Sequence, residues 1–128
     1  MNIESMGHEI SIARKASLEA GKILANNKKA LNKATFESSK DIKLEADIRA
    51  ENLIKSILNE ESLFPILAEE SGYKFKDGEL KWCIDPLDGT TNYAHGYPFF
   101  ATSIGLIWNR NPILGAISVP SLNEIYYA

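Results

Sequence analysis

Acids in pairs end two apolar runs of this 128-residue chain. In Trp82-Cys83-Ile84-Asp85-Pro86-Leu87-Asp88-Gly89-Thr90-Thr91-Asn92 the aspartates Asp85 and Asp88 stand three residues apart, and in Pro65-Ile66-Leu67-Ala68-Glu69-Glu70-Ser71-Gly72 the glutamates Glu69 and Glu70 are adjacent. Each pair follows residues of strand composition, so the acids belong at the lip of a sheet. If the two strands are neighbours, three or four carboxylates converge. Two carboxylates about 4 Å apart repel by several kcal/mol at the effective dielectric of proteins, so such a cluster needs protons or cations. All-oxygen donors suit a hard cation, and Mg²⁺ takes a few carboxylates, water and a substrate phosphate. Zinc is disfavoured because no His/Cys cluster accompanies the acids, and Asp-x-x-Asp falls short of a calcium-binding EF-hand loop. A purely structural reading stays open for each pair: a turn built by Pro86 and Asp88-Gly89, and a solvated loop at Glu69-Glu70.

Thr90, Thr91 and Asn92 follow the glycine, and any of them could cap a short helix whose first N–H groups face an anion. A hydroxyl such as that of Thr90, held by a carboxylate such as Asp47, could orient a water for in-line attack on a phosphate. His95 is the only histidine near this stretch, and a structural or rim role is expected of it. Tyr93, Tyr97, Phe99 and Phe100 are expected to pack a sheet edge or a subunit contact. Cys83, the single cysteine, excludes an internal disulfide and reads as a small buried hydrophobe.

The elements that must position these groups follow from periodicity. Ile3, Met6, Ile10, Ala13, Ser17, Ala20 and Leu24 recur at steps of three and four, the stripe of an amphipathic helix reaching about Asn26. Ala13, Ala16, Ser17, Ala20 and Gly21 would let another element approach closely. His8, near its start, reads as a surface residue. A second helix is expected from about Glu45 to Asn59 through Ala46, Ala50, Leu53, Ile54, Ile57 and Leu58, with Asp47 on the face of Ala50, Ile54 and Leu58. From Phe64 the pattern turns to short strands: Pro65 to Ala68, Leu80 to Ile84, Ala101 to Trp108, Ile113 to Val119, and Glu124 onward. Asn109 to Pro112 and Pro120 to Asn123 are the turns of an antiparallel meander. Helices first and sheet afterwards make an α+β order.

A formal net charge of −3 offers no basic field for nucleic acid, and Lys28, Lys29, Lys33, Lys40 and Lys43 read as a solvated loop. Charged residues break the N-terminal apolar stripe, so neither a signal peptide nor a membrane span is expected, and the setting is cytoplasmic.

Taken together, WCIDPLDGTTNYAHGYPF resembles the central signature of the inositol monophosphatase family of Mg²⁺-dependent, lithium-sensitive phosphatases. ILAEESG is similar to that family's glutamate motif, and the Lys40-Asp41 to Asp47 region to its N-terminal acid motif. The resemblance implies that Glu69, Asp85, Asp88 and the backbone carbonyl of Leu87 ligate Mg²⁺. It implies that Thr90 with Asp47 activates the attacking water, with Glu69 also in the catalytic group, and that Gly89, Thr90 and Asp88 meet the substrate phosphate. Glu70 would be a more distant participant. The implied fold is two N-terminal helices on a mainly antiparallel sheet, the first half of the layered α/β sandwich of the sugar-phosphatase fold. The implied substrate is inositol monophosphate, with fructose 1,6-bisphosphate or another sugar or nucleotide phosphate as alternatives, and the implied complete protein is a homodimer. Two departures stand out. Lys43-Leu44 replaces a Val-Thr pair, and the family's enzymes are about twice this long, with a later Trp-Asp motif completing the metal site. The expectation is therefore an N-terminal portion of one phosphatase domain, inactive by itself or a non-catalytic remnant.

Overall fold

In the computed structural model, which describes residues 6–31, 36–67 and 78–128, with 28–31, 36–40 and 43 described by backbone only, the first stripe becomes α1, Gly7–Leu31, and the second α2, Phe36–Glu61. Both helices run farther into the polar stretch between them than their apolar stripes indicate. Lysine is a good helix former and a turn exposed to solvent needs no apolar residue, so polarity did not mark an end. Lys28 and Lys29 thus lie in α1, and Lys40 and Lys43 in α2, not in a loop. Lys33 lies outside the described residues.

Among the described residues five strands follow: β1 (Ile66–Leu67), β2 (Leu80–Asp88), β3 (Ala101–Trp108), β4 (Asn111–Val119) and β5 (Glu124–Tyr127), with a short helix α3 (Thr90–Ala94) between β2 and β3. They form one sheet in the spatial order β1-β2-β3-β4-β5. The β1–β2 pair is parallel and the other three pairs are antiparallel, as a meander requires. Asn109 and Arg110 both have positive φ, 48° and 68°, the twist-matched signature of a tight hairpin between β3 and β4.

One face of the sheet is covered by helix. Ala13, Ala16, Ser17 and Ala20 of α1 are all fully buried, and α1 packs against α2, β3 and β4. The approach is so close that a Cβ at Gly21 would meet Ser118 Oγ at 2.8 Å. Ala46, Ala50, Ile54 and Leu58 of α2, and Trp82, Ile104, Leu106 and Ala116 of the sheet, complete the core. Burying each large aliphatic side chain contributes about 1.5–3 kcal/mol. Trp82 Nε1 donates to Ser62 Oγ at 3.0 Å, so even its polar edge is satisfied inside.

Cys83 is exposed, contrary to the expectation of burial. Period-two alternation directs it away from Trp82, onto the face opposite the helices. β2 also continues past Ile84 to Asp88, through Pro86, where the sequence suggested a turn.

Candidate functional site

An odd spacing places two strand residues on opposite faces, so Asp85 and Asp88 in a regular β2 would diverge. The sheet register removes that difficulty. Asp85 pairs with Ser103 and Asp88 with Ala101, so three steps on β2 match two on β3, and the pairing shifts between the two acids. This is a bulge: Pro86 and Leu87 together oppose the single residue Thr102. Because Ser103 and Ala101 are two apart on β3, their partners Asp85 and Asp88 share one face of the sheet, and both are exposed there. Pro86 suits the position, since it has no N–H for the ladder. Thr102, fully buried, donates its hydroxyl to the Pro86 carbonyl at 2.9 Å.

Directly after Asp88 the chain turns at Gly89, with φ 82° and ψ 41°. A Cβ there would lie 2.6 Å from the Phe99 carbonyl oxygen, so glycine is required by backbone contact as well as by conformation. α3 begins at Thr90, with Gly89 as its N-cap and no side-chain cap hydrogen bond, so its first N–H groups have no partner within the helix. Two contacts fix this short helix. Asn92 Nδ2 donates to the Phe99 carbonyl at 3.0 Å, and Tyr93 Oη donates to the Leu24 carbonyl of α1 at 2.8 Å. The Tyr93 ring is fully buried and meets Phe100 edge to face at 4.8 Å, and burial pushes its phenol up to about 12.

Asp47 is half-buried on α2, which packs against both β2 and α3, and it is engaged in a polar interaction, as is Asp85. Glu69 and Glu70 lie outside the described residues; β1, which leads to them, does pair with β2, Leu67 opposite Cys83. Among the described residues no three His, Cys, Asp or Glu side chains come together to hold an ion. What they do offer is the carboxylates of Asp85 and Asp88, exposed on one face of the sheet, hard oxygen donors of the kind Mg²⁺ takes.

The aromatic residues divide. Tyr93 and Phe100 are core, whereas Tyr97 and Phe99 are exposed at 58% and 68%. His95 is an exposed C-cap of α3 with its ring 6.2 Å from that of Tyr97, a rim position. His8 is exposed at Glu61, the end of α2. Thr102 and Tyr93 as supports of the site were not foreseen. The signal for the first lay in Asp-Pro-x-Asp itself, because a proline and an odd acid spacing inside a strand both call for a bulge.

Residues 6–128 match the model of the inositol monophosphatase family. The chain belongs to that family. It is 34% identical over 130 residues to the fructose-1,6-bisphosphatase/inositol-1-monophosphatase of Aquifex aeolicus, covering 98% of this chain and 48% of that protein. It is 43% identical over 90 residues to the inositol-1-monophosphatase of Synechocystis, covering 69% of this chain and 31% of that one. The structure of inositol monophosphatase from Anabaena superposes with a TM-score of 0.75 at 38% identity, over 92% of this chain and 42% of that chain. The chain thus spans half or less of the length of these relatives. Its helices and meander are the corresponding part of the family fold. No helix among the described residues is long and apolar enough to cross a membrane.

Proposed function

We propose that residues 1–128 are the N-terminal portion of a longer Mg²⁺-dependent phosphatase that hydrolyses a small phosphate monoester, inositol monophosphate foremost. The observation that carries this reading is the bulge that sets Asp85 and Asp88 on one face beside the Gly89 turn. Family membership and the length of the relatives support it.

Asp85, Asp88, the Leu87 carbonyl and Glu69 are the proposed Mg²⁺ ligands, with Glu70 farther out. When bound, Mg²⁺ supplies the positive charge that neutralises phosphate oxygens and makes water a better nucleophile. The N–H groups of Gly89 and Thr90 face the phosphate. The Thr90 hydroxyl, donating to Asp47, accepts a hydrogen bond from the attacking water and aims its oxygen at phosphorus. Water oxygen bonds to phosphorus, the ester P–O bond breaks, and the alcohol leaves with a proton. A bisphosphorylated sugar is the second reading, favoured by the double name of the Aquifex relative. The complete protein is proposed to be a cytoplasmic homodimer without nucleic-acid or membrane partners; in these 128 residues a net charge of −3 offers no basic field for nucleic acid.

Phosphate release from inositol 1-phosphate tests the reading in the complete protein. Thr90→Ala should lower turnover by about 10²–10⁴-fold with Mg²⁺ binding nearly intact. Near-normal turnover of that variant would remove the water-orienting role, and no Mg²⁺-dependent release by the unsubstituted protein would remove the function.

A further inference from the structure

We propose that Thr102 is a positioning residue for the metal site: its buried hydroxyl, bonded to the Pro86 carbonyl, locks the bulge that holds Asp85 and Asp88 on one face of the sheet. The inference rests on the metal-site reading above and concerns a residue that touches neither metal nor substrate.

Four observations meet at this residue. Thr102 alone opposes Pro86 and Leu87 across the shifted register. Pro86 has no N–H, so its carbonyl is the one backbone polar group by which that residue can be tied to a neighbour. Thr102 Oγ1 takes it at 2.9 Å in a setting with no exposure to solvent. A β-branched side chain on a strand is stiff at χ1, so the hydroxyl is aimed and not merely near. Two residues facing one must be held so, because loss of the extra residue's placement shifts register by one and sends Asp88 to the opposite face. On the same face of β3, Ile104 and Leu106 are aliphatic and buried, and across on β4 the partner of Thr102 is the buried Ser118. Valine would fill the same space without a donor.

Binding of Mn²⁺, a hard cation for the same oxygen donors, to the complete protein reads this by the electron paramagnetic resonance of the free ion. Thr102→Val should weaken Mn²⁺ binding by about tenfold, the scale at which outer residues tune metal sites. The Mg²⁺ concentration for half-maximal turnover should rise in step, with kcat at saturating Mg²⁺ within about twofold of the original, while Thr102→Ser restores Mn²⁺ binding to within about twofold. A folded Thr102→Val with a lowered melting temperature and unchanged Mn²⁺ affinity would overturn the proposal, since packing alone would then account for the residue. If the valine variant does not fold, Thr102→Ser against Thr102→Ala isolates the hydroxyl: weaker binding by alanine supports the role and equal binding overturns it. Absence of Mn²⁺ binding by the unsubstituted protein overturns the metal-site reading, and Thr102's role with it.

Discussion

Gly89 and Asn123 adopt nearly the same left-handed backbone, φ 82° and ψ 41° against φ 53° and ψ 42°, yet only one of them is glycine. Asn123 is exposed and ends the one-turn 3₁₀ helix Pro120–Leu122 between β4 and β5, where its N–H returns to the Pro120 carbonyl at 3.2 Å. Asparagine tolerates that conformation at small cost. Gly89 sits against the Phe99 carbonyl, in a turn further fixed by Asn92, by Tyr93 reaching Leu24 far back in α1, and by Thr102 beneath the bulge. A turn that only reverses the chain is built locally and accepts substitution. The turn after the bulge is held from distant parts of the sequence, and its residues are correspondingly constrained.

Substitution at Gly89 breaks the comparison most sharply. Gly89→Ala should destabilise by about 3 kcal/mol, combining left-handed strain with a backbone clash, as read by urea unfolding. Gly89→Asn sharpens it: asparagine relieves the strain but not the contact with Phe99, so it should recover less than half of the loss. Full recovery would show that conformation alone, and not the close approach, selects glycine.

Tyr93→Phe ranks next, at about 1 kcal/mol for the lost bond to Leu24. Its effect should also depend on pH. With the folded phenol raised to about 12 from 10.0, the unfolded chain ionises first as pH rises. The stabilisation is complete below pH 10 and is lost between pH 10 and about 12, so the difference in unfolding free energy between the two proteins should shrink across that window. A constant difference from pH 9 to 12 would mean that the phenol is not held neutral by the fold. Asn123→Gly should do least, within about 0.5 kcal/mol.

The same contrast explains what was legible beforehand. The stripes of α1 and α2 and the β3–β4 hairpin rest on local periodicity and turn chemistry, and these were readable. Helix ends in the lysine-rich stretch were not, because solvated turns need no apolar residue to stay helical. Cys83 was misjudged because a run of three apolar residues does not say how many layers cover a strand. In the site, Asp85, Asp88 and Gly89 were visible as types at a spacing. The bulge that makes that spacing work depends on pairing with Thr102, a residue whose own sequence neighbourhood, Ala101-Thr102-Ser103, carries no sign of it.

The central claim, that the bulged end of β2 is part of an oxygen-lined Mg²⁺ site, is tested most directly by thermal melting of the complete protein as Mg²⁺ is raised from zero to millimolar. A melting temperature that climbs with Mg²⁺ in the unsubstituted protein, and stays flat in Asp85→Asn, is the expected result, because a ligand that binds only the folded state stabilises it by mass action. Identical melting curves at every Mg²⁺ concentration in the unsubstituted protein would contradict it.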